Sequence, residues 1–242
     1  MTAENEVQLE GSAGSSWRQR LVHLASLVVV FLPVYLAVAL VERLGAAAVA
    51  GIVVGWLLAT GILYLGGSGW PALGLRRPKS WARTFTLAAV ATLALLVLGY
   101  ALRAPVEALT GEPPDLERFD VLRGNAVVLI GGLLVVWTTA AFGEEMLLRG
   151  MLMNYLRELV PSHALNDRFP WALALVLTSI ASGLLHAYQG VTGMILTGVM
   201  AVGFGLVYLI SGRNLWAPIL THGIYDTIGF LFVFLGWDKL VR

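Results

Sequence analysis

The sequence predicts an all-α fold, a polytopic transmembrane helical bundle of about 7–8 helices. Three observations carry that reading. Hydrophobic residues make up 58% of the 242 and charged residues only 13%, whereas soluble domains hold roughly 45–50% apolar and about 25% charged residues. Apolar runs recur at about the 20-residue length needed to cross hydrocarbon. The charges gather mostly in the polar stretches between those runs. The net charge of +1 implies no nucleic-acid partner, and the lipid bilayer is the implied surrounding. There is no cysteine, which removes disulfides, thiol catalysis and cysteine metal sites.

Residues 1–16 are polar, carry Glu4, Glu6 and Glu10, and read as a disordered N-terminal tail. Arg18 and Arg20 precede the first apolar run, 23–41, which is too long for a signal-peptide core and reads as an uncleaved span containing Pro33. The second run, 46–65, is rich in Gly and Ala. The loop 66–83 holds Arg76, Arg77, Lys79 and Arg83 with no acid, and a third span covers 84–102. These helices and loops form an N-terminal region, 17–124, which closes with a net acidic stretch, 103–123. A core region, 125–236, follows with four runs at 126–156, 170–188, 191–210 and 215–235, and residues 237–242 form a C-terminal tail. The basic second loop belongs in the cytoplasm, which places the N-terminus and Arg213 inside as well and the acidic loop outside. Lys239 and Arg242, at the end of the chain, then fall outside and run against this rule. The expected location is the cell membrane, multi-pass. Pro218 sits near the start of the last run, where it disturbs a helix least. Gly198, Gly203 and Gly205 in the sixth suit close helix contacts.

The core region carries the chemistry. Its first run contains the stretch from Gly143 to Gly150, GEEMLLRG. Charges at a helix centre in lipid cost roughly 2.5–3.5 kcal/mol each even on lenient scales. On an α-helix Glu145 and Arg149 lie four apart and can pair, which leaves Glu144, about 100° further round, without a local partner. Such a carboxylate suits proton transfer. His186 ends the next apolar run, and His222 and Asp226 share a face of the last. His23 is explained by an interfacial position and His163 by a polar loop.

Depth links these positions. If 126–156 is one long tilted helix of about 45 Å, Glu144 lies mid-span. His186 then lies about two-thirds through its span and His222 about one-third. The two spans run in opposite directions, so all three residues reach similar depth. A carboxylate beside a histidine can activate water, and a His–Asp unit can stabilise an oxyanion. Glu144, His186 and His222 also make a conceivable ligand set for Zn²⁺, although HExxH and GxSxG are both absent. Membrane carboxylates and histidines serve as proton relays too, so a proton-coupled transporter is an alternative. A non-catalytic membrane scaffold or immunity protein is another.

The ordered set EExxxR (Glu144, Glu145, Arg149), a histidine in the next span (His186) and HxxxD in the last (His222, Asp226) resembles the CPBP family. These are the type II CAAX prenyl endopeptidases and their bacterial relatives, also called Abi or bacteriocin-processing proteins. The phrases LGLRRP from Leu73 and SGRNLWAPILTH from Ser211 look like family wording. The resemblance covers about residues 142–230. It implies an intramembrane endopeptidase acting on a membrane-associated protein or peptide, prenylated in the CAAX case. It implies Glu144 as general base, His186 as a holder of the water, and His222 with Asp226 on the oxyanion side, with Glu145 and Arg149 supporting. It leaves open whether a metal takes part. Two positions depart from the pattern: Ser182 stands where FxxxH has its aromatic, and Asp226 where Asn is common.

Overall fold

The computed structural model describes the backbone of residues 3–40, 47–160 and 168–237, and the side chains from residue 17 onward. His163, Lys239 and Arg242 lie outside the described residues. Among the described residues seven helices are long and apolar enough to cross a membrane, and the chain is an integral multi-pass membrane protein. They are α1 (Ala3–Ala39), α2 (Ala47–Leu65), α3 (Trp81–Thr110), α4 (Ala126–Leu159), α5 (Arg168–Leu185), α6 (Gly190–Ile210) and α7 (Trp216–Phe234).

α1 is helical through residues that read from sequence as a tail, and its membrane-crossing part is Trp17–Ala39. α3 is longer at both ends than its apolar run. Ser80 caps it by accepting the Arg83 N–H. It then continues past Pro105 to Thr110, through residues that composition places in a polar loop. The ion pair of Arg103 with Glu107, at 2.6 Å and four residues apart, supports that extra stretch, and Gly111 ends it at φ 79°.

α1 and α2 pair and lean on α4, α5 and α6 pair with each other, and α3 packs against α6 and α7. Close approach depends on small residues. A Cβ on Gly203 would stand 2.3 Å from a Leu95 methyl, and one on Gly205 would stand 2.2 Å from a Leu175 methyl, so these glycines serve contact as the sequence suggests. Within the spans, Gly183 meets backbone: its Cβ would lie 2.6 Å from the Met194 carbonyl oxygen, and a main chain cannot swing aside as a side chain can. Gly183→Ala is therefore expected to push α5 from α6 and cost about 1–3 kcal/mol. Thermal denaturation in detergent reads this as a lowered midpoint, and an unchanged midpoint would mean that the pair has slack.

The two phrases LGLRRP and SGRNLWAP meet at one end of the bundle. The Leu215 N–H donates to the Gly74 carbonyl (3.0 Å), and the Asn214 amide donates to the Arg76 carbonyl (2.8 Å). The Tyr208 hydroxyl donates to the Leu73 carbonyl (2.9 Å) and receives from Asn154 of α4 (2.9 Å). This clasp fixes the start of α7 relative to α4, and so sets the register in which their polar side chains face each other.

Candidate active site

α4 departs from α-geometry where its charges lie. Residues Val136–Glu144 and Met146–Leu152 are π-helical, between α-helical segments Ala126–Val135 and Met153–Leu159. π-turns are rare and recur at functional sites. They correct the plain α-helix expected from sequence, since a π-helix turns less per residue. The Glu145–Arg149 pair survives the change, with Arg149 Nη1 donating to Glu145 Oε1 at 2.8 Å and both side chains buried. The other end of the guanidinium, Nη2, donates to the Ala201 carbonyl of α6 at 2.7 Å.

The same Glu145 oxygen receives a second donor, His222 Nδ1 of α7, at 3.0 Å. His222 Nε2 lies 3.4 Å from Asp226 Oδ2, one turn further along α7. That distance exceeds the usual 2.7–3.2 Å, so the Nε2 side is held loosely and can be shared with another acceptor. Phe204 of α6 stacks on the His222 ring, with centroids 4.5 Å apart and planes at 16°. The Arg149 guanidinium sits 5.6 Å from the same phenyl ring. Arg149, Glu145, His222 and Asp226 thus form one continuous polar chain across two helices, walled on one side by an aromatic ring.

Glu144 and His186 stand beside that chain rather than in it. Glu144 makes no hydrogen bond or ion pair among the described residues, and it is partly buried. His186, His222, Asp226 and Glu145 lie near enough to act on it electrostatically. His186 is not two-thirds along a span, as its run suggests. α5 stops at Leu185, and His186 begins a short 3-10 turn, Ala187–Gln189, that leads into α6. The local cause is the backbone: the His186 N–H bonds to Gly183 and its carbonyl accepts from Gln189. Gly190 then takes φ 75°, a conformation open to glycine. His186 Nδ1 bonds the Ser182 carbonyl at 2.9 Å, which leaves Nε2 as its unengaged ring nitrogen. Ser182 therefore serves through its main chain.

Sequence reasoning misses four participants. These are the second role of Glu145 as acceptor for His222, the Phe204 wall, Tyr188, whose ring centroid lies 5.8 Å from that of His186, and Arg118, whose guanidinium lies 4.0 Å over the Tyr188 ring. Phe204 has a signal, being the lone aromatic between the contact glycines Gly203 and Gly205. The others depend on tertiary placement.

The side chains do not support the zinc alternative. Among the described residues no three His, Asp or Glu side chains form a group able to hold a metal ion. His222 already directs one nitrogen to Glu145 and the other towards Asp226, and His186 directs Nδ1 to the main chain. Glu144, His186 and His222 do not fit a zinc ligand set in this arrangement. Residues 126–228 match a family model described as type II CAAX prenyl endopeptidase Rce1-like. No curated protein and no solved structure matches the chain.

Proposed function

The membrane core of this chain, residues 126–228, belongs to the type II CAAX prenyl endopeptidase Rce1-like family, and from that premise we propose that the protein hydrolyses a peptide bond with water activated by Glu144. The observation that supports this most is Glu144 itself. It is a carboxylate without hydrogen bond or ion pair among the described residues, midway along α4, in the field of two histidines and Asp226. Its neighbour Glu145 is consumed by Arg149 and His222, so of the two only Glu144 is free to take a proton.

The step balances without a metal. Glu144 accepts a proton from water as the water oxygen adds to the scissile carbonyl carbon. His186 Nε2 is the available group to orient that water. The oxyanion gathers beside His222 Nε2–H, whose grip on Asp226 is loose enough to be shared. Collapse breaks the C–N bond, and the proton held by Glu144 passes to the leaving amine. The substrate class is a membrane-associated protein or peptide, of which a lipidated, CAAX-like tail is one member.

Cleavage by the purified full chain in detergent, carried out in heavy-oxygen water, tests the reaction. One heavy oxygen atom is expected in each newly formed carboxyl terminus. No new termini, together with proton or solute flux in proteoliposomes, would favour a transporter. Asp226→Asn keeps an oxygen acceptor for Nε2–H but gives up the charge, and charged hydrogen bonds exceed neutral ones by about 1 kcal/mol. It is expected to keep activity within about tenfold of the parent, as measured by kcat/KM. Asp226→Leu removes the acceptor, and a loss on the order of a hundredfold is expected. Parental rates in both variants would remove Asp226 from the mechanism.

A further inference from the structure

The two ends of the bundle differ in charge. One end gathers Arg18 and Arg20 at the start of the first span, Arg76, Arg77, Lys79 and Arg83 before α3, and Arg213 between α6 and α7. Contacts join the elements that carry them: Arg76 donates to the Gly212 carbonyl at 3.1 Å, Asn154 near the end of α4 donates to the Tyr208 hydroxyl near the end of α6 at 2.9 Å, and His23 of α1 meets Glu158 at the end of α4 at 3.2 Å. The opposite end carries Glu107, Glu112, Asp115, Glu117 and Asp120 against Arg103, Arg118 and Arg123. It too is tied together. Glu112 accepts the Val191 N–H at 3.2 Å, the Asp115 N–H donates to the Gln189 carbonyl at 2.9 Å, and the Gly124 N–H donates to the Phe234 carbonyl at 3.1 Å. Basic short loops face the cytoplasm, which puts the acidic end outside.

The polar chain of the site runs towards that acidic end. Side-chain exposure rises from 0% at Glu145 to 10% at His222 and 26% at Asp226, and Asp226 is the one nearest the Phe234 end of α7. His186 and Tyr188 lie in the turn at that end, with Arg118 above Tyr188. Towards the basic end the way is closed by Arg149, Met153, Tyr208 and Leu215, each at most 1% exposed.

We propose that the peptide reaches this site from the acidic, non-cytoplasmic face. The substrate is then an exported or membrane-anchored peptide whose cleaved segment lies outside, not a cytoplasmic lipidated tail. This rests on the hydrolase reading for its chemistry, but its orientation is measurable without activity. The chain has no cysteine, so single cysteines report cleanly. Glu117→Cys and Ala187→Cys occupy exposed positions at the acidic end, and Arg77→Cys an exposed position at the basic end. In intact cells producing the full chain, a membrane-impermeant maleimide is expected to label Glu117→Cys and Ala187→Cys and to spare Arg77→Cys until the cells are opened. In purified protein the adduct at Ala187→Cys, beside His186, is expected to abolish cleavage, and that at Arg77→Cys to leave it intact. Labelling of Arg77→Cys in intact cells, or protection of Glu117→Cys, overturns the proposal whatever the activity. The same holds if the Ala187→Cys adduct leaves cleavage unchanged. The predicted labelling with a fully active Glu144→Gln variant would instead leave the orientation standing and remove the base.

Discussion

Glu144→Gln is expected to lower kcat/KM for peptide cleavage by about 10²–10⁴-fold, the range a positioned general base contributes, while the thermal midpoint of the purified protein stays unchanged. The two halves of that expectation come from one feature. Glu144 makes no hydrogen bond or ion pair among the described residues, so a neutral isostere breaks nothing that holds the bundle together. Glutamine keeps the volume and the carbonyl oxygen but cannot accept the proton of the attacking water. Most substitutions of charged membrane residues confound folding with function, because such residues are usually paired. This one separates them. A variant that cleaves at the parental rate would remove Glu144 as base. A variant that loses activity together with its thermal midpoint would show that the carboxylate holds structure instead.

Much of the bundle is legible in the sequence because lipid imposes a single requirement on it, apolar helices of sufficient length. The span boundaries from α4 to α7 fall within a few residues of their apolar runs. What composition cannot carry is backbone detail. α3 outruns its apolar run because Ser80, Gly111 and the Arg103–Glu107 pair set its ends, and hydropathy does not register caps. The π-helical stretch of α4 leaves no mark in a pattern of apolar residues, although it decides where Glu144 and Glu145 point. The site is partly readable. The i, i+4 spacings of Glu145 with Arg149 and of His222 with Asp226 are local and are both met in space. The bond of Glu145 to His222 joins residues 77 apart in sequence. It depends on the register set by the clasp between the Leu73 and Ser211 phrases, which no local rule supplies. His186 shows the reverse error: an apolar run reads as helix through residues that Gly183 and Gly190 turn into a 3-10 corner.

Arg149→Met is expected to destabilise the protein by about 3–5 kcal/mol, the cost of stranding one member of a buried ion pair. Arg149 is 1% exposed and Glu145 is 0% exposed, so the stranded carboxylate lies away from bulk solvent. Removing it takes one of the two donors on Glu145 Oε1 and leaves the Ala201 carbonyl without Nη2. The second oxygen of Glu145, Oε2, already lacks a hydrogen-bond partner among the described residues, so nothing is in reserve to absorb the charge. A double variant, Glu145→Leu with Arg149→Met, removes both charges and fills similar volume. It is expected to recover much of the thermal midpoint, because buried pairs are often matched by apolar replacements. It is not expected to recover cleavage, since His222 then has no acceptor at Nδ1 and its ring is held only by Phe204 and Asp226. Melting curves and cleavage rates on the same preparations therefore divide two functions of one carboxylate, balancing Arg149 and aiming His222. Parental stability in Arg149→Met would mean that the pair adds nothing to the fold. Parental cleavage in the double variant would mean that the orientation of His222 does not depend on Glu145.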